Sequence, residues 1–292
     1  MEDRNTNTTQ AVILCSLQSI LALDKLLYLC KSTIVVHLTR QADLVGILTY
    51  SLHPHLAMSN SLKIATWNLE KPEPNGWSKN PVILKQIQAI NADIWVLTET
   101  NDAINPGKEY FKAASYSQPE WNGFNYTTIW SRFTIKRSQT YDPTLAVCVE
   151  IESPLGNFLV YGTIITWAHD GVSDGKAKVW ERHYQSIQLH GKDWAKLNQG
   201  LPFCVAGDFN EALSQPLYYG TAKGREMLNN ALKQNNLICV TANDKIGYNI
   251  DHICLSAEWA KRVSNVNKWQ AYKANGKPVS DHYGISVDLS FE

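Results

Sequence analysis

Apolar residues recur along this chain at two spacings, one suited to strands and one to helices. Residues 62–69 read Leu-Lys-Ile-Ala-Thr-Trp-Asn-Leu. Their β-branched and aromatic content predicts a strand that carries Asn68 at its end. Pro72, Pro74, Asn75 and Gly76 follow as a loop. Asn80-Pro81 predicts a helix start, with Asn80 capping free backbone N–H groups and Pro81 in the first helical position. Ile83, Ile87 and Ile90 then recur at helical spacing. Ile94-Trp95-Val96-Leu97 predicts a buried strand, which ends in Thr98-Glu99-Thr100.

Further strands are predicted at 127–130, 146–151 and 158–165, with Gly156-Asn157 as a hairpin turn between the last two. Trp180, Tyr184, Ile187 and Trp194 recur at helical spacing over a long segment. Residues 203–206 form a short apolar strand that runs into Gly207-Asp208-Phe209-Asn210. Residues 225–234 predict a helix with Leu228, Ala231 and Leu232 on one face, and 250–255 and 285–289 predict the last strands. No internal repeat is present. The mixture is α/β (α+β) with many antiparallel connections, which predicts two packed sheets with helices outside.

The first sixty residues fit this picture poorly. The apolar stretch 11–23 carries Ser16, Gln18 and Ser19, and Asp24-Lys25 interrupts it before 26–30. A membrane span wants about 20 predominantly apolar residues, and a secretory signal wants a basic leader and a small-residue cleavage site. Neither pattern is met, so no stable membrane association is expected. Residues 1–57 are read as an N-terminal extension and 58–292 as the catalytic domain, with Met58 a candidate first residue of the natural product.

Composition narrows the classes. Hydrophobic residues make up 44% and charged residues 18% of the 292, which argues against global disorder. Lys+Arg and Asp+Glu both number 27, so no long-range positive field draws nucleic acid to the whole molecule, although a local basic groove is compatible with neutrality. The six cysteines are widely spaced and form no Cys-x-x-Cys pair, which predicts reduced thiols and a cytoplasmic location.

Candidate chemistry gathers at strand ends. Asn68, Glu99, Asp208 with Asn210, and Asp281 with His282 each follow an apolar strand or sit at its end, and Asp251 begins one. Taken singly, each has a structural reading: Glu99 as a cap, Asn68 as a turn residue, Asp208-Phe209-Asn210 as an Asx turn, Asp251-His252 as a surface pair, Asp281-His282 as a loop cap. Carboxylates gathered at one sheet rim would repel one another unless something positive sat among them, and a hard divalent cation is the usual solution.

Together, in this order, Ala65-Thr66-Trp67-Asn68, Asp93-Ile94-Trp95-Val96-Leu97-Thr98-Glu99, Gly207-Asp208-Phe209-Asn210, Ile250-Asp251-His252-Ile253 and Ser280-Asp281-His282-Tyr283-Gly284 resemble the successive motifs of the endonuclease/exonuclease/phosphatase family. Thr128-Ile129-Trp130-Ser131-Arg132-Phe133 is similar to the strand that follows the Glu motif there. The resemblance implies a four-layer sandwich of two packed mixed, mostly antiparallel sheets flanked by helices. It implies a divalent-metal-dependent phosphoesterase that uses in-line attack of an activated water. Glu99, Asn68 and Asp281 would hold Mg2+ or Mn2+. Asp208 would orient or deprotonate the water, Asn210 would fix the phosphate and Asp208, and His282, held charged by Asp251, would donate to a phosphoryl oxygen. One departure is the string Tyr161-Gly162-Thr163-Ile164-Ile165-Thr166-Trp167-Ala168-His169, on whose strand many relatives carry a His, or a Tyr and an Asn; His169 falls beyond that position and is read either as reaching the phosphate or as a surface loop residue.

The substrate expected is a phosphate ester, with DNA or RNA slightly favoured. Small-molecule or lipid phosphoesterase, the latter with 1–57 as an anchor, and a noncatalytic binding protein on the same fold are the alternatives. Of the ten tryptophans, Trp95, Trp130 and Trp194 read as core, and Trp77, Trp121 and Trp167 as loop residues open to substrate.

Overall fold

The computed structural model describes residues 60–291. The 1–57 segment and its Met58 boundary lie outside the described residues. Strands, numbered along the chain, form two six-stranded sheets. The first holds β1 (Ser61–Asn68), β2 (Ile94–Asn101), β3 (Phe111–Ala114), β4 (Phe124–Ser131), β11 (Val263–Trp269) and β12 (Gly284–Ser290), in the order β11-β12-β1-β2-β4-β3. The second holds β5 (Thr134–Ser138), β6 (Ala146–Ser153), β7 (Gly156–Ile164), β8 (Phe203–Asp208), β9 (Leu237–Cys239) and β10 (Asp251–Ser256), in the order β5-β6-β7-β8-β10-β9. Both sheets are mixed. Only β1–β2 and β7–β8 pair in parallel, and the other neighbours are antiparallel.

The strand period of two builds the layers. Leu62 and Ile64 of β1 point inward, and with Val96, Ile129, Val149, Val160, Ala206 and Val287 they fill the space between the sheets. Ala65 and Trp67, one residue out of phase, point outward to a second cluster with Ile83 and Ile87 of the helix α1 (Asn80–Ile90). On the other side, Tyr161, Phe203, Val205 and Cys254 meet Ile187 and Trp194 of α2 (Glu181–Leu197) and Leu228 and Leu232 of α3 (Ala222–Gln234). A single turn, α4 (Ala257–Ala260), follows β10. The result is helix, sheet, sheet, helix, the four-layer sandwich expected. Among the described residues, no helix is long and apolar enough to cross a membrane. Cys148, Cys204, Cys239 and Cys254 are free thiols.

Local differences from the sequence reading have physical causes. Asn80 does not cap α1 but is its first residue, and its side chain donates back to Glu73 O at 2.8 Å, closing the Pro-rich loop. The β6–β7 hairpin turns on Pro154-Leu155, with Gly156 already paired to Ser153. Trp180 lies before α2 with a left-handed backbone, and the buried face of that helix carries His183, Ser186, His190 and Asp193 as well as Ile187 and Trp194. β7 supplies partners for two of these groups, as Tyr161 Oη donates to Asp193 Oδ2 at 2.9 Å and bonds His190 Nδ1 at 2.8 Å, while His183 and Ser186 bond to Thr166 just beyond it. Strands β3, β5, β9 and β11 escaped the pattern because each is short or lies near a sheet edge with exposed polar positions.

Gly207 decides how closely β7 and β8 approach. Its φ is 137°, and a Cβ there would stand 2.0 Å from Thr163 O, a backbone atom that cannot rotate away. Gly207→Ala is therefore expected to lower stability by about 1–3 kcal/mol, the range for forced overpacking. Thermal unfolding checks it, and an unchanged midpoint would mean that the two strands part without cost.

Candidate active site

Pairing register brings the predicted residues to one rim of the sandwich. Asn68 ends β1 beside Thr98 of β2, so Glu99 follows at the same edge. β12 runs antiparallel to β1, which returns the turn holding Asp281 and His282 to that edge. The turn is fixed by Trp67 Nε1 donating to His282 O at 3.2 Å, His282 N to Ser280 Oγ at 3.1 Å, and Ser280 Oγ to Asn68 O at 2.7 Å. In the second sheet Asp208 ends β8, and Asp251 begins the antiparallel β10 directly opposite it. A strand start and a strand end thus meet, which reconciles Asp251 with the other four places. Glu99, Asp208, Asn210, Asp251, Asp281 and His282 all line one cleft of about 750 Å³.

Asp208 and Asp251 are 2% and 1% exposed. Like charges directly across a strand pair are destabilising, and burial makes the repulsion worse. Asp208 is steadied by three donors. Asn210 N reaches Oδ1 at 2.9 Å, and the amides of Asn210 and Asn68 each reach Oδ2 at 3.1 Å. Asn210 also donates to Ile165 O at 3.0 Å, and its backbone is left-handed, a conformation asparagine tolerates. Burial is the main cause that lifts Asp208 to about 7. The Asp251 charge adds to it, while His282 and the donors from Asn210 and Asn68 hold it down.

His282 supplies the positive charge. Its Nδ1 donates to Asp251 Oδ2 at 2.6 Å, and its Nε2 stands 3.8 Å from Asp281 Oδ1. Burial works against the charged ring, but Asp251 and Asp208 outweigh it and raise the histidine to about 10. The other oxygen of Asp251, Oδ1, is buried without a hydrogen-bond partner among the described residues, which favours a positive neighbour.

Glu99 adopts a left-handed backbone with φ 44°, which costs on the order of 1–3 kcal/mol for a residue with a Cβ. Hydrogen bonds on both sides hold it, from Leu69 N to Thr98 O and from Lys71 N to Glu99 O, each at 2.9 Å. Its carboxylate is partly open to the cleft, and the mostly exposed Lys71 ammonium stands 3.7 Å away. Asn68 Oδ1 accepts from Glu70 N at 2.8 Å and keeps a second lone pair. Glu99 and Asp281 both line the cleft, and with that amide oxygen they offer oxygen atoms only, the ligand type that suits a hard divalent cation. Asp208, Asp251 and His282 also bring potential ligand atoms within 4.8 Å of one another. A ring protonated on both nitrogens offers a metal no lone pair, and the Asp251 and Asp208 charges favour that protonated form of His282.

His169 is exposed, packs on the Trp167 ring at 5.3 Å, and does not line the cleft. Trp167 does line it; Trp77 and Trp121 do not. Several residues at the site carried no signal in the sequence. Glu211 follows Asn210 and is fully buried, where its carboxylate meets His183 Nε2 at 3.1 Å, Arg225 Nη1 at 3.1 Å and Thr221 N at 2.8 Å. Its carbonyl bonds to His252 Nε2 at 3.0 Å, beside Asp251. Glu211 therefore ties the Asp208–Asn210 turn to α2, α3 and β10. Thr221 caps α3 by accepting from Gly224 N at 2.8 Å, but nothing in the sequence joins that cap to Glu211.

A sequence model of the Endonuclease/Exonuclease/phosphatase family matches residues 65–282. Among solved structures, the AP endonuclease LMAP from Leishmania major superposes with a TM-score of 0.62 at 13% identity, covering 79% of this chain and 88% of that one. An AP endonuclease from Archaeoglobus fulgidus gives 0.57 at 16%, covering 77% and 98%. The endonuclease domain of TRAS1, a telomere-specific non-LTR retrotransposon, gives 0.55 at 12%, covering 79% and 99%. At these identities the likeness is one of fold. No curated protein matches the sequence.

Two outcomes are expected from this geometry. The folded His282 holds its proton more tightly than the unfolded chain does. Its stabilising contribution is complete below the ordinary histidine value of 6.5 and is lost as pH rises through about 10. In the metal-free protein, NMR should find the ring still charged at pH 8; titration at the ordinary histidine value would remove the ion pair. Glu211→Ala leaves Arg225 and His183 facing an empty buried position and should cost about 3–5 kcal/mol in denaturant unfolding. A loss below about 1 kcal/mol would show the network to be uncoupled from the fold.

Proposed function

The chain belongs to the Endonuclease/Exonuclease/phosphatase family, and from that premise we propose that it is a divalent-metal-dependent phosphodiesterase acting on nucleic acid. The observation that carries the reading is Asp208, buried and gripped by three N–H donors, opposite Asp251 and beside the charged His282. The three structural neighbours are all described as endonucleases, which favours a nucleic-acid ester over a small one. The free cysteines and the lack of a membrane-crossing helix among the described residues are compatible with action in the cytoplasm.

Asp208, lifted to about 7 by burial, is a base poised near neutral pH. Its donors fix the carboxylate so that it can take a proton from a water aligned with the phosphorus. As the bond from water to phosphorus forms, the bond to the departing oxygen breaks, and solvent returns a proton to that oxygen. His282 gives a hydrogen bond from Nε2 to a nonbridging oxygen of the phosphoryl group, and Asp251 keeps the ring oriented and charged. Asn210, already bonded to Asp208 and Ile165, limits where the phosphate can sit. Glu99 and Asp281, with Asn68, would hold Mg2+ or Mn2+. When bound, such a cation offsets the charge that gathers on the phosphoryl oxygens.

Hydrolysis of a plasmid, bis(p-nitrophenyl) phosphate and p-nitrophenyl phosphate, with magnesium, manganese or EDTA, tests the reading. Metal-dependent nicking is expected, and Asp208→Asn should reduce it about 10²–10⁴-fold with the fold intact. Glu99→Gln should shift the magnesium requirement upward. Turnover that survives EDTA, or a fully active Asp208→Asn, would remove the assigned roles; hydrolysis of the small esters alone would move the substrate to small phosphorylated molecules.

A further inference from the structure

The walls of the cleft are unlike those of a duplex-gripping groove. Tyr126, Trp167, Tyr218, Tyr219, Tyr248 and Tyr283 all line it. Among the described residues that line it, Lys71 is the only lysine or arginine, while Glu99, Asp170 and Asp281 add negative charge. Proteins that hold duplexes do so largely by neutralising several phosphates with lysine and arginine. One lysine, already facing Glu99, leaves little of that attraction here. Affinity beyond the scissile phosphate must come from another surface.

The aromatic rings offer it. Trp167, Tyr218 and Tyr248 are 53%, 46% and 53% exposed, although single exposed aromatics elsewhere would need no explanation. Tyr218 and Tyr248 sit edge to face with centroids 4.9 Å apart, so the pair forms an aromatic corner on the cleft wall. The two loops that carry them are built, not slack. Gln215 N donates to Asp244 Oδ1 at 2.9 Å, joining the loops, and Tyr218 N donates to Pro216 O at 2.9 Å. Lys268 Nζ donates to Ile246 O and to Tyr248 O, and its ammonium lies over the Tyr283 ring. Trp167 lies two residues after Ile165, whose carbonyl anchors Asn210. All three rings line the same cleft as Asp208, Asn210 and His282.

We propose that Tyr218, Tyr248 and Trp167 form a stacking subsite for an unpaired nucleobase next to the scissile phosphate, so that the enzyme prefers single strands over duplexes. A base within a duplex has both faces covered by its neighbours, whereas an unpaired base presents a π-face to an aromatic side chain. This inference rests on the phosphodiesterase reading above. DNA and RNA strands share the recognised chemistry and serve as parallel arms of the test.

The test uses the full chain and a strand carrying 2-aminopurine, whose emission falls on stacking. Binding is measured with magnesium for the single strand, for its perfect duplex, and over a salt series. The single strand, as DNA or RNA, should be quenched and bound about tenfold tighter or more than the duplex. Its logarithmic salt slope should be about −1, the value for roughly one phosphate contact. Tyr218→Ala and Tyr248→Ala should each weaken the single strand about tenfold, while Tyr218→Phe and Tyr248→Phe, which keep the ring, stay within about twofold. Equal or tighter duplex binding, alanine variants that bind like the parent, or a slope steeper than about −3 would overturn the proposal. Hydrolysis of the same strands reports separately: quenching without metal-dependent turnover would sink the phosphodiesterase reading, and turnover with no preference for the single strand would sink the subsite alone.

Discussion

Two buried carboxylates, Asp208 and Asp251, face each other across adjacent antiparallel strands, and the site is organised around keeping them there. Left alone, the pair would protonate or push the strands apart. His282, on the turn before β12 of the other sheet, brings a ring nitrogen within 4.8 Å of both and bonds Asp251, while Asn68 and Asn210 feed N–H groups to Asp208. The arrangement stabilises charge in the ground state only in part, since Asp208 still sits near 7. In the proposed reaction that residual affinity for a proton would let it serve as the base.

Holding such a site requires both sheets to end in register. The interior cluster between them fixes their separation, and the outward clusters under α1 and under α2 and α3 keep each sheet from sliding. Each position of Gly207-Asp208-Phe209-Asn210 has a separate task. Gly207 permits close approach to β7, Asp208 presents its carboxylate to the cleft, Phe209 buries its ring beside Trp194, and Asn210 takes the left-handed turn. The strain at Glu99 is held by pairing on both sides, as befits a residue aimed into the cleft.

Charge and shape of the cleft agree with the composition of the chain. With 27 basic and 27 acidic residues there is no surplus of positive charge, and the cleft itself is poor in lysine and arginine. In the proposed subsite its rings would take over part of the recognition that cations supply in duplex binders. Buried polar links such as Glu211 with His183 and Arg225 set the loops that carry those rings, because Ala212 N donates to Tyr219 O just beyond Glu211.

The sequence by itself determined the kinds of element and the chemistry at their ends. Alternation in 62–67 assigns Leu62 and Ile64 to one face and Ala65 and Trp67 to the other, because a strand's period is two whatever surrounds it. The seven candidate residues stood out because their motifs lie where apolar runs stop or, for Asp251, where one starts. Pairing was not legible. Only the tertiary structure set Asp251 opposite Asp208, since register across β8 and β10 depends on residues 43 positions apart. It alone placed Tyr218 against Tyr248, joined Glu211 to Arg225 and left His169 outside the cleft. Those are contacts between loops and helices, where no periodicity constrains the chain and only packing in space decides which side chains meet.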